Sequence, residues 1–380
     1  MAYQLLVDQQ KERVRTALTK ERELIEYYEE NRLCGSMVGS ILLGRVERVL
    51  PDIKAAFVKI GQPLNGFLPL KEAQSYHQTC GDTSLMTGQD ILVQVKKDPK
   101  GGKGAFLTRD ISLPGQYILL MPCNRFVGLS KRIEDANDRK RAQKLGEKIA
   151  DGRFGVIVRH AALFASESEI LDEAEAMWQL WLSVSQKAPF VKAPALLYSE
   201  PAIYEILQRD YGARHSIEII REKDAVASAW NACRIDRQVM EALERRVQLE
   251  DGGSLVIDER EALQTIDVNS GSHVKTAGDV SLALEENLRA VPEIARQIRL
   301  RRLSGIILVD FIDMDSERER ELVLEALQLA VSDDRVKTVI HGFTRLGLLE
   351  MTRKRTADSL RDATTVPCTA CRESGRIHNR

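Results

Sequence analysis

Two aspartates stand at the ends of similar short runs of β-branched and apolar residues. Asp267 lies in Thr265-Ile266-Asp267-Val268-Asn269, and Asp310 closes Ile307-Leu308-Val309-Asp310. Runs of this length and composition are typical of buried strands. Two carboxylates that lie close together repel each other, and this favours a hard divalent cation between them. Asn269 follows Asp267 by two residues, so on a strand it points the same way and can add a neutral oxygen ligand.

The segment between the two aspartates determines whether they meet. Residues 282–303 are amphipathic and carry several Arg, which predicts a crossover helix. Strands joined in this way lie parallel and side by side, so both carboxylates should reach the sheet edge where α/β folds place their sites. The alternative is that each Asp only forms a turn or caps a helix. At least one of Asp313 and Asp315 is expected to cap a helix beginning near Ser316.

A second motif with possible chemistry is Cys368-Thr369-Ala370-Cys371. A Cys-x-x-Cys pair can be a redox couple, but the Arg-rich tail lacks the strand and helix that redox chemistry uses. It can also supply half of a tetrahedral zinc site, with two chains giving two thiolates each. Inert thiols are the third possibility.

Length and composition exclude several classes of protein. A chain of 380 residues is long enough for two or more domains. It contains no apolar run long enough to cross a bilayer and no secretory pattern at the N-terminus. Six scattered cysteines are too few for a disulfide framework, so a reducing cytoplasm is expected. The net charge of −1 hides local basic segments, such as the ten Lys or Arg against five Asp or Glu in residues 125–160.

Residues 36–111 read as a small β-barrel of OB type, because they contain five short strands with Gly and Pro between them. The predicted strands are 41–46, 55–60, 66–69, 91–95 and 105–107, with a loop over 71–88. Phe57 and Phe67 lie among small residues, with Lys59, Lys96, Lys97 and Lys103 nearby in sequence. Such rings could stack unpaired bases while the cations hold the backbone. Alternatively, both rings fill the barrel core.

The other segments predict a mixed α/β chain. Residues 1–35 suggest a short strand over 4–7 and a charged helix. Strands are predicted at 115–121 and 155–159, with helices at 138–149 and 166–186. Arg159 ends the second of these strands and could hold a phosphate, although a surface salt bridge is the commoner role. A further strand is predicted at 336–340, followed by a basic helical end.

Taken in order, these segments resemble the catalytic half of the ribonuclease E/G family. The resemblance depends on four stretches and on the cysteine pair that follows them. The stretches are Ser254 to Ser270, Glu293 to Arg301, Val309 to Met314 and Gly347 to Arg353. It implies RNase H-like and DNase I-like α/β parts, an inserted OB barrel, a small α/β 5′-sensor domain and a C-terminal zinc link. The implied RNase H-like part comprises residues 1–35 and 197–243, the OB barrel comprises 36–112, and the 5′-sensor domain comprises 113–196. The DNase I-like part comprises residues 244–362, and the zinc link comprises 363–380.

The same resemblance implies roles for particular residues. Mg²⁺ would be held by Asp267 and Asp310 with Asn269 in support, and Zn²⁺ would be shared between chains by Cys368 and Cys371. RNA bases would stack on Phe57 and Phe67, with Lys103 as their basic companion. Apart from the resemblance, Arg345, Arg353 and Lys354 are expected to hold the RNA backbone. The pocket for a 5′-monophosphate falls on Gly115, Leu119, Arg159 and His160, where His160 replaces a Thr and Leu119 replaces a Val of the family pattern.

The function expected from this resemblance is magnesium-dependent hydrolysis of single-stranded RNA by an endoribonuclease, in rRNA processing and mRNA decay. Attack by water would leave 5′-phosphate and 3′-hydroxyl ends. A homodimer or tetramer without a membrane span is expected. One alternative is an RNA-binding or assembly factor of the same fold with weak or no cleavage. A second alternative is a metal-dependent deoxyribonuclease.

Overall fold

The computed structural model describes residues 3–31, 36–73, 85–99, 102–212, 215–250, 252–271, 282–366 and 368. The chain forms two compact units, one of residues 1–33 with 216–380 and one of residues 34–215. Among the helices within these described ranges, none is both long enough and apolar enough to cross a membrane. The finer division into five parts stays a prediction.

The first unit begins with an antiparallel sheet of β1 (Tyr3–Gln9), β2 (Arg13–Lys20) and β3 (Glu23–Asn31). The prediction of a charged helix in this segment is therefore wrong. Strands β2 and β3 are joined through Glu21 and Arg22, which both have positive φ angles, of 51° and 74°. Turns with two positive φ angles are usually marked by Asn-Gly or Gly-Gly. Because neither pair occurs here, no turn motif marks the hairpin.

A closed five-stranded barrel opens the second unit. Its strands are β4 (Ile41–Leu50), β5 (Ala55–Lys59), β6 (Gly66–Pro69), β7 (Asp90–Lys97) and β8 (Phe106–Thr108). They pair in the order β4-β5-β6-β8-β7, and β7 also pairs with β4, which closes the sheet. Val46, Val58, Val93 and Leu107 are among the buried side chains inside it. The predicted barrel is confirmed and is consistent with an OB-fold.

A small α/β layer completes the second unit. Its elements are β9 (Leu113–Pro114), β10 (Ile118–Met121), β11 (Val127–Leu129), α1 (Ala136–Ala150), β12 (Gly155–Val158), α2 (Glu167–Lys187), β13 (Ala195–Tyr198) and α3 (Ile203–Gly212). Four of the strands form a sheet in the order β11-β12-β10-β9, while β13 pairs with β4 of the barrel. The two helices predicted in this region are confirmed, and so are the strands at 118–121 and 155–158.

The remaining elements belong to the first unit. They are β14 (Ile217–Ile220), α4 (Lys223–Ala232), α5 (Ile235–Glu241), β15 (Arg246–Gln248), β16 (Ser254–Glu259), β17 (Leu263–Asn269), α6 (Leu282–Leu300), β18 (Gly305–Asp310), α7 (Glu317–Ser332), β19 (Thr338–Phe343), β20 (Leu349–Arg353) and α8 (Leu360–Thr364). Strand β14 lies parallel to β1. The others form a six-stranded sheet in the order β15-β16-β17-β18-β20-β19. The predicted helical end is instead the strand β20 and the short helix α8.

Helices α6 and α7 contribute to one buried apolar cluster with the six-stranded sheet. Ile266 and Val268 of β17 and Ile307 and Val309 of β18 belong to this cluster. Because side chains alternate along a strand, Asp267 and Asp310 fall on the opposite face, where both are exposed. The apolar positions of the two strands therefore fix the direction in which the aspartates point.

Candidate active site

The two aspartates lie directly opposite each other on neighbouring strands. Strands β17 and β18 are parallel, and their register pairs Asp267 with Asp310. Helix α6 makes the connection between them, as the amphipathic segment predicts. Two positions separated by 42 intervening residues along the chain are thus brought together at one sheet edge. This confirms the predicted juxtaposition of the two residues.

Asn269 lies on the same face of β17 and contacts the first aspartate. Its Nδ2 donates a hydrogen bond of 2.8 Å to Oδ2 of Asp267. The bond fixes the orientation of that carboxylate and leaves its other oxygen for a further partner. The Asn269 amide can therefore orient an acidic ligand as well as offer its own oxygen.

The electrostatics of the edge are those of a site that attracts a cation. Partial loss of hydration, followed by the negative charges of Asp267 and Asp313, raises the pKa of Asp310. A nearby divalent cation would reverse the effect of those negative charges. Among the described residues no three His, Cys, Asp or Glu side chains converge on one point. A cation at this edge would therefore be held by two carboxylates and an amide, with its other positions left to water or to phosphate oxygens.

The loop after Asp310 is held by a buried side chain that sequence reasoning missed. Asn287 of α6 is fully buried. Its Nδ2 donates to the carbonyl oxygen of Ile312 at 2.8 Å, and its Oδ1 accepts from the Ile312 amide at 3.0 Å. An Asn on the apolar face of a predicted helix was the available signal, because a buried amide needs partners. The pair of bonds restrains the chain just beyond the second aspartate.

The expected helix cap by Asp313 or Asp315 is wrong. Ser316 itself caps α7 by accepting from the Glu319 amide at 3.2 Å, while the Glu319 carboxylate accepts from the Ser316 amide at 3.1 Å. This reciprocal arrangement is a capping box. Asp313 and Asp315 are exposed, and neither serves as the cap.

The turn between β19 and β20 places one predicted RNA contact near the aspartates. Leu349 at the start of β20 pairs with Val309, the residue before Asp310. The exposed Arg345 lies in the turn just before Leu349 and so belongs to the same end of the sheet. The positive charge of Arg345 therefore lies at the same end of the sheet as the two carboxylates.

Arg353 does not lie at that edge, so its expected contact with RNA is wrong. It pairs with Gly305 at the far end of β18 and is buried. Its guanidinium donates to Asp334 at 2.7 Å and to the Leu303 carbonyl at 3.1 Å, which makes it a structural residue. Lys354 follows it at the same far end and is exposed.

The predicted aromatic residues of the barrel form a row on its surface. Phe57 and Phe67 have ring centroids 5.9 Å apart, and a third ring, Phe106, lies 6.1 Å from Phe67. All three are only half-buried and lie outside the apolar cluster within the barrel, which argues against the core alternative. Phe106 was missed as a site residue because it lies at the start of a three-residue strand, where a single ring has no periodicity to mark it.

Cations lie around this aromatic row. Nζ of Lys97 is 5.8 Å from the centroid of the Phe106 ring. Lys59 and Lys103 are exposed, whereas Lys96 is paired with Glu72 at 2.6 Å. Half-exposed rings with cations beside them are the composition of a stacking surface for single-stranded nucleic acid.

The residues expected to form a 5′-phosphate pocket lie near one another, but acidic side chains already use their donors. Arg159 donates to the carbonyl oxygen of Gly115 and to Asp210, the latter at 3.2 Å. The Glu173 carboxylate accepts from the main-chain amides of residues 116–118. Leu119 lies on β10, which pairs with β12 immediately before Arg159 and His160. A terminal phosphate would have to compete with both carboxylates for these donors.

The zinc link can be followed only in part. Cys368 is exposed, and Cys371 lies outside the described residues. The shared zinc site stays a prediction.

Comparisons with known proteins place the whole chain in one family. A model of the Ribonuclease E/G family matches residues 112–232 and 212–356. The chain is 35% identical to Ribonuclease G of Haemophilus influenzae, over 99% of this chain and 84% of that protein. It is also 35% identical to Ribonuclease G of Escherichia coli, over 99% of this chain and 85% of that protein. Ribonuclease E of a Nostoc species is 36% identical, over 88% of this chain and 53% of its own length. The chain belongs to the ribonuclease E/G family.

Proposed function

We propose that this protein is an endoribonuclease that hydrolyses single-stranded RNA in RNA processing and decay, with Mg²⁺ as its cofactor. The observation that carries the proposal is the register of β17 and β18, which sets Asp267 opposite Asp310 with Asn269 beside them. The relatives named Ribonuclease G and Ribonuclease E support RNA as the substrate.

The donor set at this edge fits magnesium. Mg²⁺ binds through one or two carboxylates, keeps several water ligands and accepts oxygens from substrate phosphates. Asp267 and Asp310 would supply the carboxylates, and Asn269 would orient the first of them. When bound, the ion would polarise the scissile phosphate, activate water and stabilise the charge that develops.

The protein's own side chains would supply positioning. Arg345, exposed in the turn beside Asp310, would hold a neighbouring backbone phosphate. Asn287 would keep the loop after Asp310 in place while substrate enters. Water attack that does not use the ribose 2′-hydroxyl would leave 5′-phosphate and 3′-hydroxyl ends.

Unpaired RNA is the proposed substrate because of the aromatic row on the barrel. Phe57, Phe67 and Phe106 can each stack on the face of a base, which is accessible only when the strand is not in a duplex. We extend the proposal to a homodimer joined by zinc through Cys368 and Cys371, and to Gly115, Leu119, Arg159 and His160 as a pocket for a 5′-phosphate.

A cleavage assay tests this function. Purified protein with a labelled single-stranded RNA and Mg²⁺ should yield fragments that carry 5′-phosphate and 3′-hydroxyl ends. EDTA should abolish cleavage, and a duplex of the same sequence should resist it. Cleavage that continues undiminished in EDTA would reject the metal site, and binding without cleavage would favour an RNA-binding factor.

A further inference from the structure

A cleft in the second unit has the composition of a nucleic-acid site but includes neither the barrel rings nor Arg159. It has a volume of about 690 Å³ and lies between α1 and the turn that precedes α2. Helix α1 contributes three basic side chains, Arg141, Lys144 and Lys148. Phe164 and Ser166 line the opposite side.

Phe164 is the unusual feature of the cleft, because its side chain is 68% exposed. It ends a short 3₁₀ turn, His160–Phe164, that follows β12. The His160 ring packs against it, with centroids 5.3 Å apart and planes at 66°. Because most of the Phe164 side chain is exposed despite this contact, ring surface remains available for stacking.

The positive charge of the cleft is only partly neutralised. Lys148 contacts Glu167, and Arg141 donates to the Leu163 carbonyl oxygen at 3.2 Å, which ties α1 to the turn. The Arg141 bond uses a neutral acceptor, so its charge remains. Lys144 is exposed, and no ion pair holds it within the described part of the chain. Two net positive charges therefore lie beside one exposed ring.

We propose that this cleft binds an internal segment of single-stranded RNA, with a base stacked on Phe164 and backbone phosphates on Arg141 and Lys144. This combination of aromatic face and cations is the one that single-strand binders use. The proposal takes its substrate class from the proposed ribonuclease function but does not depend on the aspartates. Since stacking needs no terminal group, binding here is the same for RNAs with and without a 5′-phosphate.

Binding in EDTA tests the site without cleavage, using a 3′-fluorescein single-stranded RNA with a 5′-hydroxyl or a 5′-monophosphate. Phe164→Ala should weaken binding of both RNAs about tenfold, since a stacked base contributes about 1–3 kcal/mol. Phe164→Tyr should bind within about twofold of wild type, because the ring is kept. Phe126→Ala is the matched control, since Phe126 is 61% exposed in the same unit without being part of the cleft.

Two further measurements separate a binding site from a folding effect. Lys144→Ala should lower the slope of log K against log salt by about 0.7, the value of one phosphate contact on a single strand. RNA carrying 4-thiouridine should photocrosslink to residues 160–166. Crosslinks confined to the barrel, equal binding by Phe164→Ala and wild type, or equal competition by an acidic peptide would each overturn the site.

Failure of RNA binding at the cleft and failure of the proposed nuclease activity would give different experimental results. If the variants show these binding effects but wild-type protein does not cleave RNA with Mg²⁺, the RNA site in the cleft is supported and the proposed nuclease activity is rejected. Cleavage by wild type with no effect of Phe164→Ala on binding would do the opposite.

Discussion

The sheet edge that carries Asp267 and Asp310 and the barrel face that carries the three Phe rings are built in opposite ways. At the edge, strand register holds two like charges opposite each other. Partial loss of hydration, followed by the negative charges of Asp267 and Asp313, raises the pKa of Asp310. On the barrel, apolar rings are left half-exposed about 6 Å apart. Both arrangements oppose the usual stabilising trend, since separated charges and buried rings are more favourable. The difference is that the edge requires each of its members, whereas the row of rings can lose one and keep two.

Substitution at the edge should have the largest effect. Asp267→Asn and Asp310→Asn should each lower kcat/KM for single-stranded RNA by at least about 10²- to 10³-fold, the scale of losing one transition-state stabilising group. RNA affinity in EDTA should stay within about twofold. Asp315→Asn is the control, because this exposed acid is near in sequence but is not part of the paired strands. Full cleavage activity in either variant would show that this pair of aspartates is not the active site.

Substitution on the barrel should have smaller, graded effects. Phe57→Ala, Phe67→Ala and Phe106→Ala should each weaken RNA binding on the order of 5- to 100-fold, the range for loss of one stacked base. The effect should appear in KM and leave kcat at saturating RNA nearly unchanged, since the rings do not contact the reacting phosphate. Leu64→Ala, which removes an exposed apolar side chain of a barrel loop, should have no effect. A Phe106→Ala variant that binds normally would reduce the row to two rings.

The pH dependence of RNA cleavage should reflect the charges around Asp310. This carboxyl must be ionised to bind the cation, and its raised pKa means that it takes up a proton at a higher pH than an ordinary Asp. Cleavage should therefore fall on acidification, and more Mg²⁺ should move that fall to lower pH. Asp313→Asn should also move the fall in cleavage to lower pH, because the negative charge of Asp313 is one cause of the raised pKa of Asp310. Rates measured across pH at two Mg²⁺ concentrations test both statements.

The same shift has a consequence for stability when the metal is absent. Because the pKa of Asp310 is higher in the folded than in the unfolded state, folding is most favoured when the carboxyl is protonated. Stability is lost as the pH rises from the unfolded value, about 3.9, through the raised folded value. Asp310→Asn in EDTA should therefore have a higher Tm than wild type at neutral pH. This gain should vanish at low pH, and a gain that persisted there would have another cause.

The smallest effect should come from single surface cations. Arg345→Ala should lower the salt slope of RNA binding by about 0.7, the effect of one phosphate contact on a single strand. Lys354→Ala should leave the slope unchanged, because Lys354 lies at the far end of the sheet from Asp310. Equal effects of the two substitutions would mean that RNA does not follow the aspartate edge.

Much of the fold could be predicted because local patterns agree with it. The barrel strands, α1, α2 and the two aspartate-bearing strands follow from apolar runs punctuated by Gly and Pro. The N-terminal hairpin could not be predicted, since Glu21 and Arg22 adopt a turn that their residue types rarely take. The cap of α7 was misassigned because Asp313, Asp315 and Ser316 are close together and all three residue types can cap a helix. The position at which the backbone becomes helical selects Ser316.

Local patterns along the chain are enough to identify the residue types of the site and the strands that carry them. Apolar alternation sets which side chains face the core, and it leaves Asp267 and Asp310 facing away from it. The neighbours of these residues, in contrast, depend on how the whole chain folds. The tertiary structure buries Arg353 against Asp334, adds Phe106 to the barrel rings and places Arg345 at the edge of the aspartates. Strand register and turn geometry bring these residues together from distant positions, and those depend on the packing of the whole sheet rather than on any local pattern.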